Sequence, residues 1–144
     1  MYRKILVPLD GSELSERALR HAHELAKNSS AEILLLQVLV FVSRDYDVIP
    51  IDEAASGEAL AEAKRYLERV AGNLRRLGDR VTTYVESGYV ADIIVDFSEN
   101  NHCDVIVMST HGRSGALRWL VGSVADRVVQ ISRIPVLLIR AQPK

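Results

Sequence analysis

Cysteine is almost absent from this chain of 144 residues, in which Cys103 stands alone. A single cysteine cannot form an internal disulfide, as is typical of proteins from a reducing compartment. The apolar runs are all much shorter than the roughly 20 residues that a membrane-spanning helix needs. The first of them is also too short for a signal peptide. These absences predict a cytoplasmic protein that does not interact with membranes.

A basic excess is missing as well. The chain has 18 Lys and Arg residues against 19 Asp and Glu residues, a formal net charge of −1. This balance argues against a broad nucleic-acid-binding surface. The phosphate signature G-x-x-x-x-G-K-[ST] does not occur, and no G-x-G-x-x-G follows the first apolar run. The missing signatures argue against a P-loop NTPase and against a dinucleotide-binding fold of that type.

What is present is a regular alternation of apolar and amphipathic runs. The length and the 48% hydrophobic content predict one globular domain over residues 1–144. Helical patterns begin near residues 12, 53, 90 and 124, and a segment without a clean period, residues 41–52, is predicted to be a loop. Strands are predicted at residues 4–9, 31–40, 79–86, 104–109 and 135–140. This alternation is typical of an α/β fold with a parallel sheet and helices on both faces.

The stretch STHGRSGALRWLVGS, which follows the fourth predicted strand, has the composition of an anion-binding loop. Its glycines allow backbone N–H groups to come close to an anion. Gly122 and Ser123 precede a predicted helix, whose first N–H groups attract phosphate, and Arg113 and Arg118 add positive charge. Asp10 follows the first strand and shares this crevice if the first and fourth strands are neighbours. A surface turn with an ordinary helix cap explains the same residues, and so the residues alone leave both interpretations open.

Four segments, taken in order, resemble the pattern of the universal stress protein family, and the resemblance covers essentially the whole chain. They are VPLDGS, DVIVMSTHGRSG, GSVADRVV and IPVLLIR. The nucleotide motif of that family is a glycine, two residues, a second glycine, nine residues and then Gly-Ser or Gly-Thr. Gly112 takes the second position, and Gly122-Ser123 follows after nine residues. Ser109 stands where the motif has its first glycine. A serine hydroxyl can donate to phosphate, whereas its Cβ restricts the backbone.

The resemblance implies a three-layer, Rossmann-like fold with a five-stranded parallel sheet in the order 3-2-1-4-5. It implies an adenine nucleotide, ATP or AMP/ADP, bound with magnesium or manganese, with Asp10 near the ribose and the metal. It also implies a homodimer formed through the last strand, from Pro135 to Arg140. The nucleotide-binding positions that it implies are Pro8, Leu9, Asp10, Val38, Met108, Ser109, His111, Gly112, Arg113, Gly115, Gly122, Ser123 and Val124.

Three functions are compatible with these residues. The favoured one is an ATP-binding regulatory protein of the stress response, because no general base accompanies the loop and we assign no catalytic residue. The second is a slow ATPase or a phosphoryl- or nucleotidyl-transferring enzyme, with a metal on Asp10 and His111 nearby. The third is a dimeric interaction module without nucleotide, suggested by Ser109. Asp10 has a simpler alternative role as a helix cap, and the sequence does not identify a protein partner.

Overall fold

The computed structural model describes residues 1–40, 53–110 and 122–140. Its five parallel strands form one sheet in the order β3-β2-β1-β4-β5, which confirms the predicted order. The strands are β1 (Lys4–Pro8), β2 (Glu32–Leu39), β3 (Arg80–Ser87), β4 (Val105–Ser109) and β5 (Val136–Ile139). The helices are α1 (Glu13–Glu16), α2 (Ala18–Ser29), α3 (Glu53–Arg76), α4 (Val90–Asn100) and α5 (Ser123–Ile131).

The central strands are buried on both sides, as expected of short and almost continuous apolar runs in a parallel sheet. Because side chains alternate along a strand, β1 sends Ile5 and Val7 into one core and Leu6 into the other. The first core is closed by apolar residues of α2 and α3, among them Ala22 and Leu67. The second core is closed by α4 and α5. The sheet is therefore covered by helices on both faces, as predicted.

The helix predicted to begin at residue 12 is divided in two. Ser12 is its N-cap, as expected, because the Ser12 Oγ accepts a hydrogen bond from the Ser15 N–H at 3.1 Å. The first turn, α1, closes with a short-range bond from the Arg17 N–H to the Leu14 carbonyl at 3.3 Å, and α2 then begins at Ala18. This division leaves α1 as a separate turn beside the end of β1, where a ligand would meet it.

The remaining boundaries agree with the patterns to within one or two residues. Gly78 ends α3 with a φ of 98°, the left-handed conformation expected of a glycine at that place. The predicted loop at residues 41–52 lies outside the described residues. No helix in the described part of the chain is both long enough and apolar enough to cross a membrane.

Candidate functional site

A cleft of about 1090 Å³ opens at the carboxyl ends of β1, β2 and β4. The neighbour of β1 on one side is β2, and its neighbour on the other side is β4, so that the strand order reverses at β1. Such a reversal of strand order separates the following loops and opens a crevice, which is the common ligand position in sheets of this type. The volume is at the upper end of the range of about 300–1,000 Å³ for small-molecule sites.

Every predicted site residue that the structure describes lines this cleft, although the segments that carry them are far apart in the sequence. His111, Gly112, Arg113 and Gly115 lie outside the described residues, and their part in a site stays a prediction. The predicted residues in the cleft wall are Pro8, Leu9, Asp10, Val38, Met108, Ser109, Gly122, Ser123 and Val124.

Asp10 belongs to a tight hydrogen-bonded turn between β1 and α1. Its Oδ1 accepts a hydrogen bond from the Ser12 N–H at 2.9 Å, and its own N–H donates to the Ser15 Oγ at 3.3 Å. The Ser15 hydroxyl in turn donates to the Ser12 carbonyl at 2.9 Å. Ser12, and not Asp10, caps the helix, so that the carboxylate of Asp10 fixes the turn and stands in the cleft wall.

Ser109 ends β4 and ties it to α1. Its hydroxyl donates to the Leu14 carbonyl at 2.6 Å, and the side chain is almost fully buried. The sequence suggests that this hydroxyl could donate a hydrogen bond to a phosphate. In the structure its only proton is instead donated to the protein. Serine at this position therefore joins two parts of the cleft wall.

The start of α5 lies in the wall of the cleft, and its first backbone N–H groups after Gly122 have no hydrogen-bond partner among the described residues. Gly122 is the N-cap, and in the part of the chain that the structure describes no side chain caps the helix in its place. The Gly122 N–H donates to the Thr110 carbonyl at 2.6 Å and so is not available to a ligand. The N–H groups of Ser123 and Val124 follow, and the carbonyls four residues before them lie outside the helix, so the helix itself offers them no acceptor. The anion-attracting part of the wall is therefore the first turn of α5 after Gly122.

One wall of the cleft, formed by α3, was not predicted from the sequence. Tyr66 donates its phenolic O–H to the Glu16 Oε2 at 2.9 Å, which connects α3 to α1. Burial, together with the nearby Glu16 carboxylate, raises the pKa of Tyr66 well above its usual value. The guanidinium of Arg69 lies 5.4 Å from the centre of the Tyr66 ring. The helical period indicates which face of α3 is buried, but not which part of it faces a crevice.

The model of the universal stress protein family matches residues 1–140. The chain belongs to the universal stress protein family. It is 34% identical to universal stress protein MJ0531 of Methanocaldococcus jannaschii, over 100% of this chain and 85% of that protein. It is 31% identical to universal stress protein YxiE of Bacillus subtilis, over 97% of this chain and 100% of that protein.

Solved structures of other family members share this architecture. The structure of MJ0577 of M. jannaschii superimposes with a TM-score of 0.86 at 28% identity, covering 100% of this chain and 99% of that one. A universal stress protein from Archaeoglobus fulgidus, solved in complex with dAMP, has a TM-score of 0.72 at 25% identity over 96% of this chain and 98% of that one. This family member therefore has the fold of its relatives over almost its whole length.

A second, smaller cavity of about 450 Å³ lies beside Cys103, near the amino ends of β4 and β5. Burial raises the pKa of the Cys103 thiol to about 11, so the neutral thiol predominates at physiological pH. The described residues contain no group of three or more His, Cys, Asp or Glu side chains suited to a metal ion. A metal held by Asp10 would need further oxygen ligands from a bound molecule or from water.

Proposed function

We propose that this protein is a cytoplasmic regulatory protein of the stress response that binds an adenine nucleotide, ATP or its products ADP and AMP, in the cleft at the ends of β1, β2 and β4. The observation that carries the proposal is the convergence of three distant segments on this cleft. The end of β1 brings apolar side chains and the carboxylate of Asp10, the end of β2 extends the apolar wall, and the start of α5 brings backbone amides. A nucleotide has a matching series of parts: a base, a sugar and a phosphate chain.

The base and the phosphates have different places in this proposal. Pro8, Leu9 and Val38 form an apolar wall for adenine near the ends of β1 and β2. The phosphates lie at the first turn of α5, where the amides of Ser123 and Val124 and the positive end of the helix dipole attract negative charge. Asp10, between these two regions, is suited to a ribose hydroxyl or to magnesium or manganese carried by the phosphates.

Two observations support an adenine nucleotide as the ligand. The relative from A. fulgidus was solved with dAMP, which carries the same base on a phosphorylated sugar. The start of α5, which no side chain within residues 1–40, 53–110 and 122–140 caps, also lies in the wall of the cleft itself and not on an outer surface. A nucleotide that binds one conformation or assembly state more tightly than another then shifts their populations, and this is the basis of the regulatory role.

Isothermal titration calorimetry with ATP, ADP and AMP, with and without Mg²⁺, tests the proposal. Gly122→Val places a branched side chain beside the proposed phosphate position, and its backbone angles (φ −56°, ψ 149°) are open to valine. Because charge-assisted hydrogen bonds to phosphate are lost, we expect affinity to fall by at least about tenfold. Gly72→Val, in the part of α3 beyond the cleft, is the matched control and should bind normally. Absence of heat with all three nucleotides would favour the nucleotide-free interaction module.

We also propose that the protein forms a homodimer through β5. Within the described residues this strand is hydrogen-bonded to β4 on one side and is the edge of the sheet on the other. Leu137 in its middle is 38% exposed. An edge strand with exposed apolar side chains readily pairs with a second copy of itself, because its outer backbone groups need partners.

A further inference from the structure

The one buried side-chain oxygen or nitrogen without a hydrogen-bond partner, among the described residues, is the Oε1 of Gln37. Buried acceptors are almost always paired, because an unpaired one loses its bonds to water and gains nothing in exchange. Gln37 is also part of the wall of the cleft. A donor carried by a ligand in the cleft would satisfy this acceptor.

Gln37 occupies a distinct place in the sheet. The pairing of β1 with β2 ends at Pro8 and Leu36, so Gln37 is the first residue of β2 beyond it, although it still pairs with Val85 of β3. By alternation its side chain lies on the face of Ile33 and Leu35, which is the face that α3 covers. The carboxamide therefore sits where the sheet opens into the cleft.

We propose that Gln37 is the residue that selects the base, its carboxamide oxygen accepting a hydrogen bond from the 6-amino group of adenine. This inference rests on the proposed function and goes further by naming the recognised group. The Oε1 is inaccessible, while the residue as a whole is partly exposed. Rotation about the last side-chain torsion, which has a broad energy well, turns the oxygen into the cleft.

The chemistry of the ligand decides which of its groups meets Gln37. Ionised phosphates are acceptors only and cannot satisfy an oxygen. The first turn of α5 follows β4, and β4 and β2 lie on opposite sides of β1, which separates them by roughly 10 Å at the usual strand spacing. Gln37 is therefore at the base end of the cleft, at the end of the same strand as Val38, although the two side chains leave β2 on opposite faces. Glutamine recognises adenine well, because its amide offers an acceptor and a donor to the amino group and the adjacent ring nitrogen.

The test compares two ligands on two proteins by calorimetry. The ligands are the tightest-binding of ATP, ADP and AMP, and the same nucleotide with unsubstituted purine, which lacks the 6-amino group. The proteins are the wild type and Gln37→Met, which keeps the length of the side chain and removes the carboxamide. Gln130→Met is the matched control, because Gln130 is exposed on α5 and bonds only to Asp126 of its own helix among the described residues.

We expect the wild type to prefer the amino-bearing nucleotide, and Gln37→Met to bind it roughly three- to tenfold more weakly, the value of one hydrogen bond. The variant should bind the purine analogue as the wild type does. Equal preference for the amino group in both proteins overturns the assignment of Gln37 and leaves the proposed function intact. A wild type that binds no adenine nucleotide overturns both.

Thermal unfolding without ligand gives an independent reading. Removing an unpaired buried oxygen costs the fold nothing, so the melting temperature of Gln37→Met should equal or exceed that of the wild type. A melting temperature several degrees lower would show that the carboxamide serves the fold, and would refute a role in ligand selection.

Discussion

Replacing Ser109 by alanine separates a structural role of its hydroxyl from a role in binding phosphate. The hydroxyl donates to the Leu14 carbonyl at 2.6 Å and lies near the Ser15 carbonyl at 3.4 Å. Alanine removes this donor from a buried position. The Leu14 carbonyl keeps one other bond, from the Arg17 N–H at 3.3 Å, so it is not left entirely unpaired. We therefore expect a loss of about 1 kcal/mol in the free energy of unfolding, near the mean for one hydrogen bond.

For a protein of this length, a loss of about 1 kcal/mol lowers the melting temperature by about 3 °C. Urea unfolding followed by circular dichroism, at constant m-value, measures the free energy directly. The matched control is Ser98→Ala, because Ser98 is also buried and its hydroxyl donates to the Val95 carbonyl of the same helix at 2.7 Å. That bond is local, and alanine is the better helix former. Ser98→Ala should therefore cost less than Ser109→Ala.

Nucleotide affinity provides the decisive comparison. Because the Ser109 proton is engaged with Leu14, the variant should bind nucleotide within about twofold of the wild type. A hydroxyl that served a phosphate would instead cost about tenfold or more on removal. Unchanged stability together with a tenfold loss of affinity would refute the reasoning, because it would mean that the hydroxyl faces the ligand.

Two further predictions concern the amino ends of β1 and β4 and the edge strand β5. Backbone N–H groups of Arg3 and Lys4 donate to the Asp104 carboxylate at 2.7 and 2.9 Å and hold its pKa below the usual value. The ionised carboxylate therefore stabilises the fold fully at a pH above its unfolded pKa of about 4, and this stabilisation is lost as the pH falls through the lower pKa of the folded state. Urea unfolding should show that Asp104→Asn lowers the free energy of unfolding more at pH 6 than at pH 3. Leu137→Lys should convert a dimer to a monomer in sedimentation velocity, whereas Leu77→Lys, at a position 62% exposed beyond α3, should not.

The fold was predictable because its signals are local. Each strand is a short apolar run, each helix has its own period, and the alternation of the two leaves few arrangements of a parallel sheet. The division of the first helix was not predictable in this way. Residues 13–29 have a continuous helical pattern, and the break at Arg17 appears only in the hydrogen bonds of the folded chain.

The candidate site was predictable only where its residues lie at strand ends or at the start of a helix. Asp10, Ser109 and Ser123 follow from those positions, since the carboxyl ends of parallel strands share one edge. Tyr66 and Gln37 could not be predicted in this way. Each lies inside a helix or a strand, where the pattern of that element accounts for the residue without any ligand site. The bond from Tyr66 to Glu16 joins residues that are distant in the sequence, and no local signal predicts it.

Position 109, where the chain departs from the family motif, accommodates a serine without backbone strain. A glycine is required where the backbone has a positive φ, and the described residues other than glycine with that conformation are Ser30 and His102. Ser109 instead ends β4 in register with Ile139 of β5, an extended conformation open to any L-residue. Its Cβ and hydroxyl are directed to the protein, where they meet the carbonyl of Leu14. The serine thus adds a bond between β4 and α1 without needing the conformational freedom of glycine.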